Sequence, residues 1–84
     1  MVVATPQGDD AILCQITSQA RSDSYSVSLE QPDFSSGGLN QSSHVRPNRL
    51  FTADEAIIVY RVGHITNAKL TEVLDRLIAI LKQP

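Results

Sequence analysis

The chain has 84 residues and a mass of 9.2 kDa, with 7 Lys+Arg against 9 Asp+Glu and a formal charge of −2. That length allows one domain, 1–84, with a small core, since a folded chain this short leaves roughly 35–40% of its unfolded surface in water. A 42% apolar content excludes disorder, the single cysteine excludes a disulfide framework, and the acidic balance argues weakly against strong nucleic-acid binding.

The N-terminus, MVVATPQGDD, lacks the basic region of a signal peptide, and the apolar stretches Ala11–Cys14 and Ala56–Tyr60 are far too short to span a membrane. With one cysteine, the expectation is a protein of a reducing cytoplasm. A dimer would help cover apolar surface that one small core leaves exposed.

Along the chain, Val2–Thr5 has strand character. Pro6-Gln-Gly-Asp-Asp10 is turn chemistry, and Ala11–Thr17 reads as a mostly buried strand. The two runs form a predicted hairpin. Ser24–Leu29 alternates, with Tyr25, Val27 and Leu29 on one face and serines on the other, the period of a half-buried strand. All nine serines lie between Ser18 and Ser43, so the centre of the chain is polar. Gln31–Asn40, with Pro32, Gly37 and Gly38, reads as a loop. Ser42–Val45 and Asn48–Thr52 are short strand candidates separated by Pro47, and Ala56–Gly63 is a further strand.

The last segment changes period. Thr66 is a good N-cap, and Leu70, Val73, Leu74, Leu77 and Leu81 recur at three- and four-residue steps. Asn67–Gln83 is therefore a predicted helix, with Glu72 and Arg76 placed for an i,i+4 pair. The expected fold class is mainly β with a C-terminal α-helix, a small antiparallel sheet or barrel with the helix packed on it.

Most catalytic signatures are missing. Gly37-Gly38 is too short for a phosphate loop, and His44 and His64 with one Cys do not make a zinc site, so no cofactor and no metal are expected. Both histidines read as surface or packing residues and Cys14 as a small core residue. What remains is Thr17-Ser18-Gln19, where a buried strand runs into a polar loop, with Arg21 close behind. Hydroxyl, amide and guanidinium groups at a strand end suit phosphates and base edges. A second basic spot is Arg46/Arg49, in a segment from Gln41 to Leu50 that holds no acid.

Taken in order, AILCQITSQ, the serine-rich strand, GLNQSSHVRPNRLFT, a strand ending VGHIT and the helix KLTEVLDRLIAIL resemble the MazF/PemK family of toxins from type II toxin–antitoxin modules over Val2–Lys82. The resemblance implies an SH3-like barrel related to the CcdB toxin fold, and a homodimer. It implies a metal-independent, sequence-selective mRNA endoribonuclease acting through attack of the ribose 2′-hydroxyl. Its partners would be single-stranded RNA and an antitoxin whose acidic disordered tail covers the RNA groove, with Arg46, Arg49 and Arg21 as contacts.

By this resemblance Thr17 matches the family's catalytic threonine. Ser18, Gln19, Arg21, Ser43, Arg46 and Arg49 fall in RNA-facing segments. Gly63, Ile65 and Thr66 match the turn before the helix. The family pattern also has an earlier strand and an Arg-Pro step that supplies a catalytic arginine. Here the sequence starts at Met1-Val2-Val3, in the pattern's second strand, so the expectation is a domain incomplete at its N-terminus, with no Arg-Pro before Thr17. Three readings follow: a ribonuclease whose start lies upstream, a truncated toxin that keeps its binding surfaces but cleaves poorly, and an SH3-like module that binds nucleic acid or antitoxin without catalysis.

Overall fold

The computed structural model describes residues 1–19, 23–58 and 62–83. Strands β1 (Val2–Ala4) and β2 (Asp10–Thr17) form the expected antiparallel hairpin. The turn between them holds Gly8 at φ +94°, a left-handed conformation that glycine adopts without a Cβ clash. There follow β3 (Val27–Leu29), β4 (Phe34–Gly37), β5 (Ser43–Asp54), β6 (Gly63–Ile65) and helix α1 (Asn67–Leu81). One sheet has the order β1-β2-β5-β3, and β4 pairs with β6 in a second. The architecture is mainly β, a curled sheet with a C-terminal helix, as the composition and periodicity lead one to expect.

The core is Cys14, Val27, Leu29, Val45 and Val73, with Met1, Val3, Phe34, Leu39 and Ile65 packed around it. Val27 and Leu29 point inward while Ser28 is exposed, so the alternation holds where the strand exists. Val73 brings the helix against the sheet and is fully buried, a contribution of about 1.5–3 kcal/mol. At the helix start the Thr66 hydroxyl accepts from the Lys69 N–H at 3.2 Å, the cap expected of it. Lys69 itself is buried. Its Nζ donates to the Ser28 carbonyl at 2.9 Å and to Glu72 at 2.8 Å, and lies 3.6 Å from Asp33. One ammonium group therefore ties α1 to β3 and to the single-turn 3-10 helix Gln31–Asp33.

Several expectations are corrected. The two short strands proposed on either side of Pro47 are one strand of 12 residues, β5. Gln15 pairs with Arg46 but Cys14 with Leu50, so Pro47, Asn48 and Arg49 have no partner on β2. A bulge is where a strand accommodates a residue without an N–H, and the ring of Pro47 is fully buried there. Gln31–Asn40 is not all loop: its residues Phe34–Gly37 form β4 by pairing with a distant strand. Gly37 and Gly63 are partners in that pair, and a Cβ on Gly37 would meet the Val62 carbonyl oxygen and come within 2.6 Å of the Gly63 Cα. The expected strand Ala56–Gly63 begins instead as a 3-10 turn, Glu55–Ile57, capped by the Asp54 carboxylate on the Ala56 N–H at 2.8 Å. Its residues 59–61 lie outside the described residues. The strand Ser24–Leu29 shortens to Val27–Leu29, because the Asp23 side chain takes the N–H groups of Tyr25 and Ser26. β2 is less buried than expected, with Ile16 36% exposed. Glu72 pairs with Lys69 one turn earlier, while Arg76 donates to the carbonyl of Ser24. Among the described residues no helix is long and apolar enough to cross a membrane.

Candidate functional site

In an antiparallel ladder, residues directly opposite share a face. Thr17 is opposite His44, and His44 is in turn opposite Ser28 on the other side of β5. Gln15 is opposite Arg46. Thr17, Gln15, His44, Arg46 and Ser28 therefore lie on one face of the sheet. The neighbouring row, Ile16, Val45 and Val27, lies on the other and enters the core at Val45 and Val27. Opposite Cβ atoms in such a ladder are about 4.5–5.5 Å apart and diagonal ones roughly 7–8 Å, so long side chains reach across both.

Thr17, Gln15 and Arg46 have defined partners on this face. The Thr17 hydroxyl accepts from the Gln19 N–H at 3.1 Å, which fixes its orientation and leaves its own proton to donate. The Arg46 guanidinium donates to Gln15 Oε1 at 3.4 Å and lies 3.6 Å from the Asp23 carboxylate. Its Nε is buried and has no hydrogen-bond partner among the described residues. Asp23 accepts from the Ser26 N–H at 2.9 Å, the Tyr25 N–H at 3.0 Å and the Ser26 hydroxyl at 3.0 Å. These bonds, that of the Ser26 N–H foremost and Arg46 adding to them, hold its carboxyl below the usual carboxylate range.

The residues singled out from sequence separate in space. Ser18 and Gln19 are exposed just beyond Thr17, at the end of β2. Arg46 joins Thr17 on the polar face. Arg49 is exposed in the bulge of β5. Ser43 is buried, its hydroxyl donating to the Gln41 carbonyl at 3.0 Å, and it alternates away from His44. Arg21 lies outside the described residues. Sequence reasoning missed Gln15 and His44. Their place on the Thr17 face depends on the strand register, which the three unpaired residues of β5 shift, and no local pattern shows that shift.

Away from this face, a concavity of about 390 Å³ is mostly apolar, with Met1, Leu13, Ile16, Phe34, Val62 and Leu70 among its walls. It holds none of the polar face's reactive groups. Among the described residues no cluster of three or more His, Cys, Asp or Glu is placed to hold a metal ion.

No curated protein matches the sequence. The family model of the PemK-like, MazF-like toxins of type II toxin–antitoxin systems matches residues 2–81, which include the strands that build the polar face and the closing helix. The small β fold with its closing helix agrees with that match, and the chain belongs to the PemK-like, MazF-like toxins of type II toxin–antitoxin systems.

Proposed function

We propose that this toxin is a metal-independent endoribonuclease that cuts single-stranded RNA at the polar face of β2 and β5. The observation that carries this reading is the shared face of Thr17 and Arg46, a hydroxyl and a guanidinium held on adjacent strands. Attack of a ribose 2′-hydroxyl on the neighbouring phosphate needs a polar group to orient the nucleophile and a cation beside the charge that builds on phosphorus. Thr17 serves the first need and Arg46 the second. Ser18, Gln19, Arg21 and Arg49 hold the flanking nucleotides. Arg46 reaches this face across the ladder from Gln15. Asp23 shares its guanidinium, so cleavage is slow until RNA displaces that carboxylate.

The partner of a type II toxin is its antitoxin. An acidic tail laid along Arg46 and Arg49 neutralises the same charges that RNA phosphates need, and so competes with RNA. The exposed Leu50 and Phe51 of β5 supply apolar area for a homodimer. The test is incubation of the full chain with a panel of single-stranded RNAs in excess chelator, with the ends of the products mapped. The reading predicts cuts at a short recurring sequence, leaving a 2′,3′-cyclic phosphate and a 5′-hydroxyl. RNA left intact across the panel contradicts it.

A further inference from the structure

We infer that His44 is the proton acceptor for the 2′-hydroxyl in this site, a role that rests on the ribonuclease reading above. His44 occupies the middle of a three-residue row across the sheet: Thr17 directly opposite on β2, Ser28 directly opposite on β3. Arg46 follows two residues along the same strand and on the same face. The register therefore gathers a hydroxyl, an imidazole and a guanidinium within one cross-strand neighbourhood of about 5–8 Å. Neither Thr17 nor Arg46 is a base near neutral pH, because a hydroxyl keeps its proton and a guanidinium has none to gain. Imidazole is the side chain that accepts a proton there. His44 is half-buried, so it is open to a substrate while its backbone is fixed in the central strand of the sheet.

The step balances on RNA and water alone. Neutral His44 takes the 2′-hydroxyl proton as the O2′–P bond forms. The P–O5′ bond breaks, and O5′ takes a proton from solvent. The imidazolium then returns its proton to solvent. Arg46 faces the charge on the phosphate oxygens, and the Thr17 hydroxyl orients the 2′-hydroxyl by a hydrogen bond. Among the described residues, the charged groups held on the His44 row and its strand neighbours are Arg46 with Asp23, Lys69 on the Ser28 carbonyl with its partners Asp33 and Glu72, and Glu30, which accepts from the Ser42 hydroxyl at 2.6 Å.

The experiment compares the full chain with its His44→Gln form on an RNA that the unsubstituted chain cuts, over pH 5 to 9. The proposal expects kcat to fall about 100-fold or more. The acidic limb of the pH–rate profile should disappear. Affinity for the same RNA with a 2′-deoxy group at the cut position should stay within about twofold, which separates a lost proton acceptor from lost folding or binding. An unchanged rate, or a lower rate with the acidic limb intact, overturns the role of His44 and leaves the ribonuclease reading standing. No cutting by the unsubstituted chain overturns both.

Discussion

The Arg46 guanidinium lies 3.6 Å from the Asp23 carboxylate, so a cation on the Thr17 face is already partly neutralised before any ligand arrives. On the proposed function, an RNA phosphate competes with that carboxylate. Asp23→Asn keeps an oxygen to accept the Tyr25 and Ser26 N–H groups but removes the charge. RNA affinity at low salt should rise several-fold, and the rise should shrink as salt is added. Filter binding across a salt series checks it. Weaker binding in the variant contradicts the competition.

Asp23 also sets a pH dependence. Its carboxyl titrates lower in the folded chain than in the unfolded one, so its contribution to stability is fully present above the unfolded value of about 3.9 and is lost as pH falls through the folded value. Unfolding midpoints measured from pH 5 down to pH 2 should fall more steeply for the natural chain than for Asp23→Asn. Parallel curves would contradict this.

Lys69 links the helix to the sheet through one buried ammonium. Replacing it with Met keeps most of the aliphatic stem but leaves the Ser28 carbonyl without its donor and Asp33 and Glu72 without their cation. Denaturant unfolding should show a loss of about 2 kcal/mol, the range for hydrogen bonds to charged groups. A variant as stable as the parent would mean that the Lys69 cluster contributes nothing net.

Gly37 has φ +68°, and its Cα faces Gly63 too closely for a side chain. Gly37→Ala should cost about 1–3 kcal/mol, since both the backbone conformation and the contact with the Val62 carbonyl are strained. Gly8 also has a positive φ, but a Cβ there would meet nothing within 4 Å, so Gly8→Ala should cost less. Thermal melts of the two variants compare the effects directly, and equal losses would show that the close approach of β4 and β6 carries no cost.

Cys14 is 1% exposed and burial pushes its thiol up, so it should not react with a disulfide reagent at pH 8 in the folded chain. Labelling should follow unfolding as denaturant is added. Rapid labelling without denaturant would contradict the packing of β2.

Much of the fold was legible in the sequence because it rests on local signals. The hairpin of β1 and β2 follows from an apolar run, a turn rich in Pro, Gly and Asp, and a second apolar run. The helix follows from Thr66 and the spacing of Leu70, Val73 and Leu77. What escaped depends on distant partners. β4 is built largely of Ser and Gly and exists because Gly63–Ile65 lies beside it. β5 continues through Pro47 because a bulge takes the residue that cannot donate. The candidate site divides in the same way. Thr17 was legible as a hydroxyl at a strand end. His44 and Gln15 were not, because only the register across that bulge sets them on its face. Ser43 looked equivalent to its neighbours in sequence, yet alternation turns it inward.

On the proposed function, Thr17 acts on RNA at this face. The most direct measurement is the cleavage rate of the full chain against Thr17→Ser and Thr17→Ala on one RNA at saturating concentration. Thr17→Ser keeps the hydroxyl and should retain activity within about tenfold. Thr17→Ala should lose about 100-fold or more while still binding the RNA. Equal rates for the natural chain and Thr17→Ala would contradict the account.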